Sequence, residues 1–259
     1  MMNLAEIISK LWNTYRKSTW ELTAFIEDTQ RSINETSQKH GRIAEKLRKV
    51  RQGESVENEK SDEKTISIEL SEEELDALVS VITERGEMIG EYPRLLVGMA
   101  FIYLVALFDA FLTDAFAAVL IERPEALKSK KQLTYDKILE LQQKGELVEF
   151  MARREINELS YKSMADQSDY YKAKFNINLA DSGVYLAALI EIRARRNLLV
   201  HNNGVVNDIY IEAVKQTKYN LGDRVEITFD YWNKCKERLN SVANFVHKSI
   251  IEKFVKENS

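Results

Sequence analysis

Arg193-Ala194-Arg195-Arg196-Asn197-Leu198-Leu199-Val200-His201-Asn202-Asn203-Gly204 reads as the last turns of a helix. Gly204 suits the position past the helix end, where the chain enters a left-handed turn that Gly adopts cheaply. Ser182 is placed to cap the start. Tyr185, Leu186, Leu189, Ile190, Ile192, Leu199 and Val200 mark an apolar arc. At roughly 100° per residue, Arg196 falls inside that arc, near Leu189 and Val200. Arg193 and Asn197 fall beside it, and His201 lies one turn beyond Asn197. Arg195 projects from the opposite side, as a solvated charge does. Charged side chains seldom occupy a core face unless they are paired or used. An Arg, an amide and a His on one surface make a phosphate clamp beside a group that titrates near neutral pH. The plainer alternative is an Arg196 salt bridge to a core carboxylate and a His201 favoured by the helix dipole.

Outward from this helix, His201-Asn202-Asn203-Gly204-Val205-Val206 leads into a short helix and a turn at Leu221-Gly222-Asp223. An extended piece, 224–229, and a last amphipathic helix, 230–256, follow. Upstream, the periodicity predicts helices over 134–143, 146–158 and 163–174. The stretch from Leu95 to Ile121 carries only Asp109 and Asp114 as charges. It reads as a central buried helix, begun at Gly90 and Pro93 and closed by Pro124, because two carboxylates are costly in lipid. Asp109 shares a face with Val105, Leu112 and Phe116, so it needs a donor, and Arg193 or Arg196 is the obvious partner. Asp114 points toward the surface.

At the start of the chain, Leu4, Ile8, Leu11, Tyr15, Leu22, Phe25 and Ile26 form a helical stripe. It weakens after Asp28 and resumes at Ile43, Leu47 and Val50. This predicts an N-terminal helical arm over 1–52, suited to a dimer contact. Residues 53–64 are polar, charged and linker-like. The remaining 65–259 form a helical domain. Ser71-Glu72-Glu73-Glu74 is a capping box. Residues 65–70 and 224–229 alternate and can pair as a minor two-stranded ribbon.

The 259 residues include only two prolines and nine glycines, and 30% are charged. With the 3.6-residue periodicity this predicts an all-α protein. A net charge of −4 argues against a general nucleic-acid binder and confines any RNA contact to a local surface. The single cysteine, Cys235, fits a reducing cytoplasmic setting and a packed, inert role. No leader or membrane span is expected. There is no nucleotide-binding glycine loop and no metal-ligand spacing, so neither a cofactor nor a metal is expected. His40 and His247 have no catalytic neighbour in sequence. Tyr170-Tyr171-Lys172-Ala173-Lys174-Phe175, Arg153-Arg154 and the lysines at 128, 130 and 131 mix charges and aromatics. Such mixing suits RNA, or more simply an amphipathic helix edge.

Arg196-Asn197-Leu198-Leu199-Val200-His201, with the downstream order of elements, resembles the HEPN superfamily, over roughly residues 92–255. The family's mark is Arg, four to six residues, then His near the end of a long helix. The likeness is greatest to its ribosome-associated and abortive-infection branches. It implies a HEPN-type helical bundle acting as a homodimer, with two motif copies facing each other. It implies metal-independent RNA cleavage, with Arg196 and His201 as the catalytic pair and Asn197 orienting them; from their positions alone, Arg193 could touch phosphate or be a surface charge, and Asp109 could orient an arginine or face solvent. The expected role is a toxin or phage-defence ribonuclease with RNA as substrate and an antitoxin or another defence protein as partner. Some family toxins carry a Tyr two residues after the His, which a partner nucleotidyltransferase modifies. Asn203 stands there instead, which argues against that form of control. The alternative is a non-catalytic HEPN dimerisation or RNA-binding module, since many family members have lost activity.

Overall fold

Sparse glycine and proline and long 3.6-residue periodicity leave the backbone one economical solution, the helix. A computed structural model describes residues 2–52, 70–127 and 132–255. Within them the fold is all-α. The helices are α1 (Leu4–Arg51), α2 (Glu72–Glu122), α3 (Tyr135–Lys144), α4 (Leu147–Ser160), α5 (Met164–Phe175), α6 (Leu186–His201), α7 (Asp208–Val214) and α8 (Phe229–Ile250). Short 3-10 turns occupy Pro124–Leu127 and Leu179–Ser182. The expected linker, the lysines at 128, 130 and 131, and residues 65–69 lie outside the described residues.

Local chemistry sets many of the helix starts. Ser71 and Glu74 form the reciprocal capping box: Glu74 N–H donates to Ser71 Oγ (3.2 Å), and Ser71 N–H donates to Glu74 Oε2 (2.8 Å). Thr134, Ser163, Asn207 and Thr228 cap α3, α5, α7 and α8 with side-chain oxygens. Each such cap is worth about 1 kcal/mol. Two expected boundaries do not form. Pro93 lies inside α2 rather than at its start. A proline removes one helical hydrogen bond, and the apolar run after it holds the helix regardless. Ser182 does not cap α6, because its hydroxyl is used within the preceding turn, donating to the Leu179 carbonyl (2.7 Å). Tyr185 takes the cap position without a side-chain bond.

The chain divides into two compact units. The first comprises Met1–Thr23 and Gly98–Ser259. Its core is built from Phe101, Leu104, Phe108 and Phe116 of α2, Ile156 of α4, and Trp232, Leu239 and Val246 of α8, all essentially inaccessible. The first turns of α1 belong to this core: Leu4, Ile8 and Tyr15 are buried. Tyr15 Oη donates to Asn240 Oδ1 of α8 (2.9 Å), and Trp12 stacks on Tyr15 and on His247. Residues 1–52 therefore do not form one separable arm. The apolar stripe over Leu4–Tyr15 packs into the first unit, and α1 from Ala24 onward belongs to the second.

The second unit is Ala24–Val97. Among its described residues the buried apolar side chains are few, Ile26, Ile89 and Val97. Phe25, Ile43, Val50, Val81 and Met88 remain exposed. Arg51 Nε meets Asp76 Oδ1 at 2.9 Å, with both side chains about half exposed, so this pair adds little.

α2 is long and apolar enough to cross a membrane by composition. Within the first unit, Phe101, Leu104, Phe108, Leu112 and Phe116 are instead buried against protein. No strand forms among the described residues. The 224–229 piece makes a single antiparallel bridge, Arg224 to Val205, while residues 65–69 of its expected ribbon partner lie outside the described residues.

Candidate functional site

α6 carries the motif, and the chain after it is fixed by backbone bonds. Asn202 and Gly204 both donate their N–H groups to the Leu198 carbonyl (2.8 and 2.9 Å). Asn203 and Gly204 take positive φ, 50° and 75°. A Cβ on Gly204 would stand 3.4 Å from the Leu199 side chain and 3.6 Å from the Val225 carbonyl, ordinary contact distances, so it is the positive φ and not space that favours glycine there. Val225 N–H donates to the Gly204 carbonyl (2.9 Å), and Asn202 Nδ2 donates to the Val205 carbonyl. Leu198, Val206, Tyr210 and Val225 close a small core beneath the turn.

The three arginines of the motif have three different fates. Arg193 pairs with Asp109 Oδ2 of α2 (3.4 Å) and donates to the Ser160 carbonyl at the end of α4 (3.2 Å). Both members of the pair are mostly buried. Asp109 therefore takes Arg193 as its partner, and Arg196 acts on it only as a neighbouring charge. Burial raises the Asp109 pKa, and Arg193 and Arg196 offset part of the rise. Tyr171 packs alongside, buried on Phe116 and Phe175, and its hydroxyl is held neutral by burial. Asp114 is exposed, as its helix position implied.

Arg195 reverses its expectation. It is buried, with its guanidinium 4.1 Å from the Tyr231 ring centroid and 5.1 Å from that of Tyr219. It forms an ion pair with Glu191 one turn earlier and donates to the Glu226 carbonyl (3.3 Å). Tyr231 Oη donates to the other Glu191 oxygen. Cys235 sits in the same pocket of α8, fully buried, its thiol pushed up by burial to about 12 and so inert as a nucleophile at neutral pH. The side of α6 expected to face water is covered by α8 and the 219–226 segment. Val200 and Tyr185, placed in the apolar arc by spacing, are exposed at 45% and 85%. Glu191 at i−4 was the signal for an arginine pair, but the covering aromatics lie 24 and 36 residues further along.

Arg196 lies between these extremes. Its Nη1 donates to Asn197 Oδ1 (3.0 Å), while its Nε is buried without a partner. The long side chain thereby wraps from the edge of α6 toward Asn197. His201, the last residue of α6, is exposed, as is Asn197 one turn earlier. The outward side of α6 therefore brings together a guanidinium, an amide and an imidazole. Such a surface can hold a phosphate by charge and planar geometry and move a proton beside it.

The other mixed charge and aromatic segments are otherwise employed. Tyr171 and Phe175 are core, and Tyr170 Oη donates to Glu155 (3.0 Å). Arg153 and Arg154 pair along α4 with Glu149 (2.8 Å) and Glu158 (3.1 Å). Among the described residues no group of three His, Cys, Asp or Glu side chains is placed to hold a metal ion. No family model, curated protein or solved structure matches the chain.

Proposed function

We propose that this chain is a HEPN-type, metal-independent endoribonuclease acting as a homodimer in a toxin or phage-defence setting. The observation that carries the reading is the Arg196–Asn197 bond. It lays a guanidinium that no carboxylate engages, among the described residues, on the exposed side of α6 that also presents His201. Arg193, one turn earlier, is neutralised by Asp109, so Arg196 supplies the net positive charge there.

The chemistry follows from those groups. An RNA 2′-hydroxyl attacks the adjacent phosphorus, and the bond to the 5′-oxygen breaks. One proton leaves the 2′-oxygen and one must reach the departing 5′-oxygen. Arg196 neutralises the charge that develops on the phosphorane, and Asn197 fixes the guanidinium. A single α6 has one His201, whereas the reaction moves protons at two oxygens. Two copies related by a twofold axis supply one imidazole for each. The products carry a 2′,3′-cyclic phosphate and a 5′-hydroxyl.

The test is cleavage of total RNA in excess chelator by wild type and His201→Ala. Wild type is expected to cut, and the variant to lose roughly 10²–10⁴-fold in rate, the usual worth of a proton-transfer group. Light scattering at micromolar concentration is expected to report a dimer. Full activity in His201→Ala, or a strict monomer that still cleaves, overturns the reading. RNA binding without any cleavage assigns the non-catalytic module instead.

A further inference from the structure

A second surface of the first unit has the composition of a nucleotide site and lies apart from the α6 motif in its residues. It is an open cleft of about 750 Å³ between the start of α1 and the middle of α8. That volume lies within the range of roughly 300–1,000 Å³ typical of small-molecule sites. Three cations line it, Arg16, Lys17 and Lys236, and no carboxylate does. Another cleft, of about 520 Å³ on α4, is lined by arginines already paired with glutamates of their own helix.

The aromatic component is Trp20, which lines the cleft and is 70% exposed. A solvent-facing indole beside cations is a platform on which a base can stack. The other two indoles are engaged. Trp12 stacks on His247 and lies beneath the Arg16 guanidinium (5.8 Å), and Trp232 is buried beneath Lys236 (4.9 Å). Those cation–ring contacts hold Arg16 and Lys236 over the cleft while leaving their hydrogen-bond donors free for an anion. Lys17 is weakly tied to Glu21 (3.7 Å).

The third component is amide and hydroxyl groups from the two helices. Asn240 Oδ1 accepts from Tyr15 Oη, which directs its amide N–H groups elsewhere, and Asn244 follows one turn on. Thr19 lines the same cleft. It is only 4% exposed, and its hydroxyl is buried beside that of Tyr15.

We infer that this cleft binds a nucleotide unit, with the base stacked on Trp20 and the phosphate held by Arg16 and Lys236. The inference goes beyond the ribonuclease reading and does not depend on it. A nucleotide unit can come from a single strand or from a free nucleotide, and the test separates these sources. Fluorescence anisotropy of the full chain is followed with a labelled 2′-O-methyl oligoadenylate of about ten nucleotides, which cannot be cleaved through its 2′-oxygen. Trp20→Ala is expected to weaken binding about tenfold or more, and Trp20→Phe to retain most of it. Arg16→Gln with Lys236→Gln is expected to flatten the dependence of affinity on salt. Competition by unlabelled ATP as strong as by the oligonucleotide assigns a free nucleotide, and competition by the oligonucleotide alone assigns a strand. Thermal unfolding checks that each variant is folded. No binding by wild type at micromolar concentration, or folded Trp20→Ala and Arg16→Gln/Lys236→Gln variants that bind as wild type does, overturns the inference.

Discussion

Arg195 and Arg196 are adjacent in sequence, and their environments are opposite. Arg195 is enclosed by two tyrosine rings, a glutamate and a backbone carbonyl, and it ties α6 to α8 and to the 219–226 segment. Arg196 leans on one amide and otherwise faces outward with His201. A helix turns about 100° per residue, so neighbours can belong to the core and to the surface at once. The contrast separates the residue that builds α6 into the fold from the residue left to act on something else.

The largest expected effect falls on the buried member. Arg195→Met leaves Glu191 in a nearly closed pocket without its cation, and breaking such a pair costs about 3–5 kcal/mol. Denaturant unfolding is expected to show that loss. The double variant with Glu191→Leu is expected to recover much of it, because a packed apolar pair avoids the stranded charge. A folded, fully stable Arg195→Met protein would mean that the tyrosine cage, and not the ion pair, holds α6.

Asp109 is expected to behave as an intermediate case. Asp109→Ala removes the counter-charge of Arg193 but leaves the Ser160 carbonyl, for a loss of about 1–3 kcal/mol. Asp114→Ala is expected to stay within about 0.5 kcal/mol, as exposed substitutions do. Equal effects at the two positions would remove the distinction between the two sides of α2.

Titration sharpens the same point. Burial raises the Asp109 pKa above the ordinary carboxylate value, so the fold favours its protonated form. Its contribution to stability is then full below the unfolded pKa and is lost as pH rises through the folded one. Arg193→Gln removes an opposing charge and is expected to push the Asp109 pKa further up. Arg195→Met is expected to leave it in place. Carboxyl NMR of Asp109, assigned by comparison with Asp109→Asn, reads both.

Much of this was legible in the sequence. The periodicity marked most of the helices, with starts at the capping box, at Thr134 and at Ser163, and the lone carboxylate face of Asp109 required an arginine. What was not legible depended on partners distant in the chain. The helical wheel put Arg195 in water because Tyr219 and Tyr231, which cover it, belong to elements whose placement no local pattern states. Val200 and Tyr185 are apolar, yet they cap an exposed side of α6. The stripe over Leu4–Tyr15 looked like a thin seam of its own, because the α8 and α2 surfaces that bury it lie more than 90 residues away. Pro93 misled in the other direction, since one missing hydrogen bond did not outweigh the apolar run that follows.

The smallest structural effects are expected on the outward side of α6, together with the largest functional ones. Asn197→Ala removes a positioning contact and is expected to lower cleavage modestly without changing stability. The most direct measurement is RNA cleavage in excess chelator by Arg196→Lys and Arg195→Met, each scaled to its folded fraction by thermal unfolding. Arg196→Lys is expected to unfold as wild type does and to lose most of its activity, because an ammonium does not reproduce the planar fork over a phosphate. Arg195→Met is expected to unfold far more easily, with its folded fraction still cleaving. Full cleavage by Arg196→Lys, or loss of activity only in Arg195→Met, would contradict the assignment of catalysis to the outward side of α6.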